Sequence, residues 1–465
     1  MTTDLGFELA PDTGVHFVGI GGAGMSALAS ILLERGHRVS GSDLRAGRPA
    51  SMLAALGADV HTGHDAAHVA DADVVVVSNA IPAHNPEVVE ARGRGLPVLL
   101  RADLLAALMR DQRRVLVSGT HGKTTTTAMI TVALQAAGLD PSFAIGGTVG
   151  DAGTSAHHGS GDIFVAEADE AYRSFLRLTG DCAVVTNVEM EHHDEYEDED
   201  DVAAAFAAFA SRCTGAGPLI CCRDDPGATR LAATVDQPVL TYGEDEAADL
   251  RVRDVVLDAT GSRFTLVEDA GVVGEFRLRV LGRHNVLNAA AAVAAARWAG
   301  ADPAAIAEGL ASFRGAQRRF QRLGVVRGVE VVDDYAHHPT ELAAALAAAR
   351  QGAPEGRVLA VFQPHLYSRT QALASQLGAA LAGADSAIVT DVYGAREQPV
   401  PGVTGALVAD AAQQHGVETH YVAAVGEVPE LVARLAAAGD VVLTLGAGDI
   451  TEVGPLILRR LEGLS

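Results

Sequence analysis

The sequence predicts an α/β protein of three domains, on the basis of three observations. The chain has 465 residues, more than one hydrophobic core normally serves, so two to four domains are expected. Short apolar strands alternate with amphipathic helices along most of the chain, which indicates parallel sheets with right-handed crossovers. Polar or glycine-rich segments follow several strands, where open α/β sheets bind ligands.

The first domain is predicted over residues 1–110 and ends at a basic, polar stretch, 110–114. Its elements are expected in the order strand 15–20, helix 25–35, strand 38–42, helix 50–56 and strand 74–78.

A second domain is predicted over 111–314 and a third over 315–465. The second opens with a strand that runs into a Gly/Thr loop and a helix, becomes rich in strands near 250–280, and closes with an Ala-rich helix at 286–298. The third alternates strands with Ala/Leu helices, as expected of a doubly wound sheet. Strands of the two domains are expected at 115–118, 163–166, 183–187, 329–332, 358–362, 387–390 and 441–444.

Composition excludes several classes of protein. A formal net charge of −24 argues against a nucleic-acid partner, because phosphate backbones are bound by basic surfaces. The acidic N-terminus lacks a basic region followed by an apolar run, so we expect no secretory signal and a cytoplasmic location. The longest uncharged stretch, 124–139, is too short to span a membrane. The four cysteines lack zinc-site spacing and are predicted to be small buried hydrophobes in a reducing compartment.

A glycine-rich turn links the first strand to the first helix. Gly19, Gly21 and Gly24 form the G-x-G-x-x-G pattern that places a pyrophosphate on helix N-terminal amides. Asp43, after the next strand, lies where a ribose-binding acid would. The pattern indicates a bound nucleotide without distinguishing a nicotinamide cofactor from a UDP-sugar, and a tight turn without a ligand has the same sequence.

Residues 118–125, S-G-T-H-G-K-T-T, have the strand–loop–helix setting of a phosphate-binding loop. Val117 stands where the strict pattern has its first glycine. Gly122 still lets backbone N–H groups approach phosphate, Lys123 supplies positive charge to β- and γ-phosphates, and the Thr124 hydroxyl can reach magnesium. Lys123 is the only lysine of the chain, and it lies in this loop.

Carboxylates and imidazoles follow the next two strands. Glu167 comes directly after the strand at 163–166, and His192 lies in an acidic segment after the strand at 183–187. Both are expected to bind a metal or phosphate, although magnesium prefers oxygen ligands to imidazole. Residues 197–201 are expected to form a solvated acidic loop.

Three further segments concentrate polar residues. In G-R-H-N-V-L-N at 282–288, the simpler interpretation is that Asn285 caps the following helix and His284 is a surface imidazole. The segments D-D-Y-A-H-H-P-T-E at 333–341 and F-Q-P-H-L-Y-S-R-T at 362–370 follow predicted strands of the third domain, and Arg369 could bind a carboxylate.

Taken in order, these segments resemble the Mur ligases. The resemblance spans essentially the whole chain and is strongest to the members that add L-alanine to UDP-N-acetylmuramate, of which a histidine at position 121 is typical. It implies a Rossmann-like N-terminal domain for the UDP-sugar, a central P-loop ATPase domain and a Rossmann-like C-terminal domain for the amino acid. The segments that carry it are 19–26, 119–125, 167–170, 187–196, 282–288, 313–320, 333–341 and 446–449.

The resemblance also implies which residues bind each ligand. UDP-N-acetylmuramate would face Gly21, Gly22, Ala23, Gly24, Met25, Ser26, Asp43, His64, Ser78 and Asn79. ATP would contact Gly119, Thr120, His121, Gly122, Lys123, Thr124, Thr125, His284, Asn285, Asn288, Arg319 and Asp334. L-alanine would be bordered by Tyr335, His337 and Arg369, and Mg²⁺ would be held by Thr124, Glu167 and His192. The catalytic residues would be Lys123, Glu167 and His192.

The chain departs from the family pattern at three places. Ala171 and Tyr172 replace a frequent Ser-Asp pair, which changes a wall of the site. Leu366 replaces a frequent arginine, which would make Arg369 the main cation for the amino-acid carboxylate. Several sister ligases hold a second magnesium through a lysine carbamylated by CO2, but no lysine follows Lys123 here.

Three alternative functions fit parts of the pattern. A related ligase that reattaches a recycled peptide to the same UDP-sugar would need a larger pocket in the third domain. A nicotinamide-dependent oxidoreductase would use the first glycine turn, but Lys123 and Glu167 would then have no function. A binding protein gated by ATP would bind nucleotide without releasing phosphate.

Overall fold

The computed structural model describes residues 9–45, 47–149, 154–192, 195–213 and 215–463. His193 and Asp194 of the acidic segment, and part of the N-terminal stretch expected to lack a secretory signal, lie outside the described residues. The chain forms two compact units. The first comprises residues 1–190, 198–251 and 289–309, and the second comprises residues 191–197, 252–288 and 310–465.

The first sheet is parallel and has five strands. Its elements are β1 (Gly14–Val18), α1 (Ala23–Glu34), β2 (Arg38–Asp43), α2 (Arg48–Ala55), β3 (Asp59–Thr62), β4 (Val74–Val77), α3 (Pro86–Gly93), β5 (Val98–Leu100) and α4 (Arg101–Leu108). The strand order is β3-β2-β1-β4-β5, and the central strand β1 is fully buried, as expected of a parallel sheet covered on both faces. The predicted strands correspond to β1, β2 and β4. The prediction missed β3 and β5, which have only 4 and 3 residues.

The second sheet follows in the same compact unit. Its elements are β6 (Arg113–Ser118), α5 (Lys123–Ala136), β7 (Ser142–Val149), β8 (Thr154–His157), β9 (Ile163–Glu167), β10 (Cys182–Val185), α6 (Glu199–Ala210), β11 (Leu219–Cys222), α7 (Pro226–Thr234) and β12 (Val239–Gly243). The order is β12-β11-β10-β6-β9-β7-β8, parallel except for β8, which runs antiparallel to β7. Helix α1 packs on β7 and β8, which joins the first two sheets into one unit.

The strand-rich region predicted near 250–280 consists of three strands. They and the following helices are β13 (Leu250–Asp258), β14 (Gly261–Glu268), β15 (Gly271–Leu278), α8 (Arg283–Ala299) and α9 (Pro303–Ser312). β14 and β15 pair antiparallel. Asn285 lies inside α8, and its side-chain amide donates to the Leu281 carbonyl at 2.7 Å. The interpretation of Asn285 as a helix cap is therefore wrong.

The third sheet lies in the second unit. Its elements are β16 (Gln321–Val326), β17 (Val329–Asp334), α10 (Pro339–Gly352), β18 (Val358–Phe362), α11 (Tyr367–Leu381), β19 (Ser386–Val389), α12 (Ala406–Gln414), β20 (Glu418–Tyr421), α13 (Val428–Leu435), β21 (Val441–Leu445) and α14 (Val453–Glu462). The order is β16-β17-β21-β18-β19-β20, and β16 alone runs antiparallel to its neighbour. Alternate residues of β18 and β21 enter two separate apolar clusters, one on each face, which confirms the predicted doubly wound sheet.

Two predictions from composition can be compared with the structure. All four cysteines are buried and free, as expected of small buried hydrophobes. Within the described ranges, no helix combines the length and apolar character required to cross a membrane.

Candidate active site

The loop between β6 and α5 has the backbone geometry of a phosphate-binding loop. Gly119 and Gly122 adopt φ values of +128° and +82°, which residues with a Cβ rarely enter. A Cβ on Gly119 would also lie 2.0 Å from the Thr186 hydroxyl. Helix α5 begins immediately after this loop, so the unpaired N–H groups of its first turn are available to an anion. The predicted strand–loop–helix setting is confirmed.

Lys123, the first residue of α5, forms an ion pair with a buried carboxylate. Its Nζ lies 2.7 and 3.0 Å from the two oxygens of Glu170 and also donates to the carbonyls of Gly119 and Thr120. Burial by itself would lower the pKa of Lys123, but attraction to Glu170 and Asp169 outweighs burial and raises that pKa. The ammonium therefore stays charged in the loop.

Glu167 ends β9 beside the same loop. Its Oε1 accepts the Gly146 N–H at 2.8 Å, and the Thr124 hydroxyl lies near enough to this carboxylate to lower its pKa. Burial raises the pKa of Glu167, while the Gly146 N–H and the charge of Lys123 act in the opposite direction. The hydroxyl of Thr124 and the carboxylate of Glu167 thus form a pair of oxygen donors, the kind that fits Mg²⁺.

Two further loop residues contact the segment that follows β10. The Thr120 hydroxyl donates to the Glu189 carbonyl at 3.2 Å, and the His121 N–H donates to Asn187 Oδ1 at 2.7 Å. The His121 Nε2 lies 3.3 Å from a carboxylate oxygen of Glu189. These contacts fix the loop against its neighbouring strand, and Thr124 and Thr125 are buried at the start of α5.

The predicted UDP-sugar residues lie at the carboxyl ends of strands in the first sheet. The turn 21–26 follows β1 and opens α1, Asp43 ends β2, His64 follows β3, and Ser78 and Asn79 follow β4. Asp43 Oδ2 accepts the first N–H of the turn at 3.0 Å. Because the strands are parallel and adjacent, these residues share one edge of the sheet, where doubly wound folds bind ligands.

A cavity of about 230 Å³ lies within the first unit and is lined in part by Gly24, Arg101, Glu167 and Asp169. Among the residues that the structure describes, the half-buried Arg101 makes no hydrogen bond or ion pair. A Cβ on Gly24 would lie 3.0 Å from the Arg101 side chain, so the glycine leaves room for it. An unpaired guanidinium in a cavity is available to an anionic group of a ligand.

In the second unit, three residues predicted to lie near adenine form a polar cluster at the start of α8. Asn285 Oδ1 accepts from the Asn288 side-chain amide at 3.1 Å. His284 is half-buried rather than exposed, so the interpretation of a surface imidazole is wrong. Burial, and then the nearby Arg319, lowers the pKa of His284 to about 4, so the ring is neutral at pH 7.

Arg319 and Asp334 lie near each other in this unit. Asp334 ends β17 and accepts the N–H groups of Phe320 and Ala336 at 2.7 and 2.8 Å. Burial raises the pKa of Asp334 to about 6, against the attraction of Arg319. The Arg319 guanidinium lies 5.2 Å from the centre of the Tyr335 ring, within the range of a cation–π contact.

Tyr335 and His337 continue into a group of aromatic and imidazole rings. The His337 Nδ1 lies 2.9 Å from the Tyr335 carbonyl, and the His337 ring lies 6.0 Å from that of His365. His365 stacks on Tyr393 at 5.8 Å. Burial lowers the pKa of His337 to about 4 and that of His365 to about 3, so both rings are neutral at pH 7.

Arg369, on α11, is paired with Glu191 rather than free. Its Nε lies 3.0 Å from Glu191 Oε1, its Nη2 contacts the same oxygen, and its Nη1 lies 3.1 Å from His365 Nδ1. Burial raises the pKa of Glu191, but Arg369 and neighbouring histidines lower it well below its usual range. The other oxygen of Glu191, Oε2, is buried and has no hydrogen-bond partner among the described residues.

His192 also belongs to the second unit. Its backbone has φ +54°, and its carbonyl accepts the N–H groups of Glu195 and Tyr196 at 2.7 and 3.1 Å. Thr124 and Glu167 belong to the first unit. The magnesium set of all three residues therefore stays a prediction.

Comparison with known proteins identifies the family. A UDP-N-acetylmuramate--L-alanine ligase of Acidothermus cellulolyticus is 50% identical over 451 residues, which cover 96% of this chain and 94% of that protein. Three family models match in succession: Mur ligase family, catalytic domain, at 14–113; Mur ligase middle domain at 117–296; and Mur ligase, glutamate ligase domain, at 318–448. The chain belongs to the Mur ligase family. Its three matched domains and three sheets confirm the predicted three-domain α/β fold.

Solved structures agree with this assignment to the Mur ligases. The UDP-N-acetylmuramate-alanine ligase of Thermotoga maritima has a TM-score of 0.82 and 28% identity, with 97% of this chain and 100% of that chain covered. A murein peptide ligase of Psychrobacter arcticus has a TM-score of 0.72 and 24% identity over 97% of this chain and 98% of that chain, which shows a shared fold.

Sequence reasoning missed four residues that now join the candidate sites of this Mur ligase. Glu170 pairs with Lys123, and its place in the E-A-D-E segment after β9 was the available signal. Glu191 and His365 lie in segments already singled out, but nothing in the sequence indicated that Arg369 contacts both. Arg101 gave no signal beyond its position directly after β5.

Proposed function

We propose that this Mur ligase joins L-alanine to the lactyl carboxylate of UDP-N-acetylmuramate in peptidoglycan precursor synthesis, with ATP converted to ADP and phosphate. The observation that carries the proposal is the similarity, over almost all of both chains, to the Acidothermus cellulolyticus ligase whose name states both substrates. The geometry supports it, because such a ligase needs two nucleotide sites. The glycine turn after β1 and the loop before α5 are two separate candidates.

Each domain would bind one substrate. We place the UDP-sugar in residues 1–110, ATP in 111–314 and the amino acid in 315–465, and we expect the reaction to take place in the cytoplasm. The family matches at 14–113, 117–296 and 318–448 support this division.

The reaction would proceed through an acyl phosphate, because a carboxylate oxygen is a poor leaving group at neutral pH. A lactyl carboxylate oxygen attacks the γ-phosphorus of ATP, and the bond from that phosphorus to the ADP oxygen breaks. The L-alanine nitrogen then attacks the acyl carbon, the carbon–oxygen bond to phosphate breaks, and the nitrogen loses a proton. The products are the amide, ADP and inorganic phosphate.

The phosphate-binding loop would stabilise the charge of the transferring group. Lys123, held by Glu170 in this structure, would pair with phosphate oxygens, and the N–H groups of residues 119–125 would bind further oxygens. His284, Asn285 and Asn288 would bind near the adenine, with Arg319 and Asp334 reaching the nucleotide. The supporting observation in the second unit is the buried polar pair of Asn285 and Asn288.

Thr124, Glu167 and His192 would hold Mg²⁺. The hydroxyl and carboxylate oxygens fit this hard cation, and the imidazole is the weaker ligand of the set. When bound, the ion would neutralise phosphate charge. The hydrogen bond from the Gly146 N–H holds the Glu167 carboxylate near the Thr124 hydroxyl.

The UDP-sugar would lie along the edge formed by the turn 21–26, Asp43, His64, Ser78 and Asn79. Arg101 would add a cation for one of its anionic groups, since the cavity that contains this guanidinium is also lined by Gly24 of the turn.

L-alanine would be bound by Tyr335, His337 and Arg369. Arg369 already uses Nε and Nη2 on Glu191, so the amino-acid carboxylate would share this guanidinium with Glu191. The neutral His337 adds no charge of its own.

The proposal is tested by phosphate release from ATP with UDP-N-acetylmuramate and one amine at a time: L-alanine, glycine, L-serine, or a recycled-type tripeptide. We expect release to be fastest with L-alanine, with the amide product identified by mass spectrometry. Faster release with the tripeptide would identify a peptide-reattaching ligase instead. ATP binding without phosphate release in the presence of any of these amines would identify a binding protein.

A further inference from the structure

A fully buried glutamate lies beneath the predicted UDP-sugar edge, in the first unit. Glu87 is the second residue of α3 and is 0% exposed. Its Oε2 accepts the Ser42 hydroxyl at 2.6 Å and lies 3.0 Å from His64 Nδ1, and its Oε1 lies 2.8 Å from His68 Nδ1. Hydrogen bonds to both oxygens offset the cost of burying the carboxylate.

His16, on β1, approaches the same carboxylate. Its Nε2 lies 3.6 Å from Glu87 Oε1, and its Nδ1 bonds to the Ser40 hydroxyl at 2.9 Å. Burial by itself raises the pKa of Glu87, but His16, Ser42 and His68 lower it to about 2. The carboxylate is therefore ionised at neutral pH.

The ionised carboxylate of Glu87 fixes the orientation of two partly exposed histidines, His64 and His68. It accepts hydrogen bonds but donates none, so Nδ1 carries a proton in both His64 and His68. Nε2, on the opposite side of each ring, then faces away from Glu87. The two side chains are 14% and 19% exposed, so part of each ring is accessible. His61 stacks on His68 at 4.1 Å, and its own Nε2 lies 3.3 Å from Asp59.

The cluster that Glu87 forms with Ser42, His16, His64 and His68 is connected to the glycine turn. The Ser42 carbonyl accepts the N–H groups of Gly19 and Ile20 at 2.8 and 3.0 Å, and the next residue, Asp43, accepts the Gly21 N–H at 3.0 Å. Glu87 therefore bonds both to Ser42, which anchors the turn, and to His64, which follows β3.

We infer that Glu87 is a positioning residue of the UDP-sugar site, which holds His64 and His68 with Nε2 directed to polar groups of the UDP-sugar. The inference rests on the proposed function, because it takes UDP-N-acetylmuramate as the ligand. Glu87 itself touches no substrate and acts through the histidines.

The test is Glu87→Gln in the full-length enzyme, with Glu90→Gln as the control. Glu90 lies on the same helix and is outside the cluster, so the control makes the same chemical change without touching the histidines. For Glu87→Gln we expect the KM for UDP-N-acetylmuramate to rise about tenfold, the scale expected when a buried hydrogen-bond network loses a partner. The KM values for ATP and L-alanine should stay within twofold, and Glu90→Gln should match wild type.

One further measurement separates positioning from a general effect on folding. In a His64→Ala background, Glu87→Gln should raise the KM for UDP-N-acetylmuramate by a smaller factor than in wild type, because part of its effect passes through His64.

Three outcomes would overturn the inference: an unchanged UDP-sugar KM in Glu87→Gln, an equal rise in all three KM values, or full additivity with His64→Ala. If Glu87→Gln does not unfold cooperatively, Glu87→Asp decides the question, because its shorter side chain should still raise only the UDP-sugar KM. A wild-type enzyme without phosphate release would instead refute the proposed function.

Discussion

Two cations, one in each compact unit, are paired with buried glutamates in different ways. Lys123 donates to both oxygens of Glu170 and to two loop carbonyls. Arg369 directs Nε and Nη2 to a single oxygen of Glu191, and the second oxygen has no hydrogen-bond partner among the described residues. The ammonium is a compact charge that reaches several acceptors, whereas the guanidinium is a planar fork.

This difference indicates how each pair would accept its ligand. Because both Glu170 oxygens are already bonded to Lys123, a phosphate must compete with Glu170 for the ammonium. At the second pair, Glu191 Oε2 is free to accept a hydrogen bond, so an ammonium group of an amino acid could add to the pair without breaking it. We therefore expect the two cations to respond differently to substitution.

The largest effect is expected at Lys123. Lys123→Ala should reduce phosphate release at least about 100-fold, because it removes charge stabilisation from the transferring phosphoryl group. The affinity for UDP-N-acetylmuramate, measured by calorimetry, should change less than twofold, since its predicted residues lie on another sheet. Lys123→Arg is the control that keeps the charge. A loss of UDP-sugar affinity on the same scale as the loss of turnover would contradict this division.

Arg369→Ala should mainly affect the amino acid. We expect the KM for L-alanine to rise about 30-fold, equivalent to about 2 kcal/mol for a lost charge-assisted bond, while the KM for ATP stays within twofold. The variant also leaves Glu191 buried and unpaired, so Tm should fall and should recover in Arg369→Ala/Glu191→Gln. Arg350→Ala, which breaks the more exposed pair with Asp385, is the control. An unchanged KM for L-alanine would remove Arg369 from the site.

Arg101 extends the comparison to a cation whose side chain has no partner among the residues that the structure describes. Arg101→Ala should raise the KM for UDP-N-acetylmuramate about tenfold, because one charge-assisted bond is lost. Stability should be unchanged, since no carboxylate is left unpaired. Steady-state kinetics measure the KM, and thermal unfolding measures the stability. A drop in Tm without a change in KM would show that the guanidinium is structural.

The neutral histidine beside Arg369 predicts a dependence of stability on pH. The folded-state pKa of His337, about 4, lies below its ordinary value of 6.5, so the unfolded state binds the proton more tightly. The stability present at pH 7 is therefore lost as the pH falls toward 4. Between pH 6.5 and 5.5, His337 by itself should contribute about 1 kcal/mol to the loss of stability, so the loss should be smaller by about that amount in His337→Gln. If urea denaturation shows the same loss of stability in wild type and in His337→Gln, the prediction is wrong.

The smallest effect is expected from bicarbonate. Lys123 is the only lysine and is committed to the phosphate loop, so no other lysine can form a carbamate that supports a second magnesium. Activity at fixed pH should be equal in CO2-depleted and bicarbonate-supplemented buffer and should increase with free Mg²⁺. Activation by bicarbonate would show that the assignment of the metal site is incomplete.

Much of the fold could be predicted because parallel strands buried on both faces are continuous apolar runs. β18 was predicted at its observed bounds, and most other predicted strands agree within two residues. Of the missed strands, β3, β5 and β8 have three or four residues each, too few to show a pattern, but β7 with 8 residues and β16 with 6 were missed as well. Asn285 was misinterpreted because asparagine serves both as a helix cap and as a member of buried hydrogen-bond networks.

The sequence by itself determined the glycine turn, the phosphate loop and the polar ends of strands, because these depend on local backbone geometry and on the order of residues. It also determined that a single lysine would have to serve the phosphates. Only the tertiary structure decided which carboxylate each of the two cations contacts. Glu170 lies 47 residues from Lys123, and Glu191 lies 178 residues from Arg369, and no local pattern specifies contacts over such separations. The protonation of Glu87 and His337 was likewise decided by burial and by neighbours from other parts of the chain, because a side chain's pKa depends on its surroundings in space.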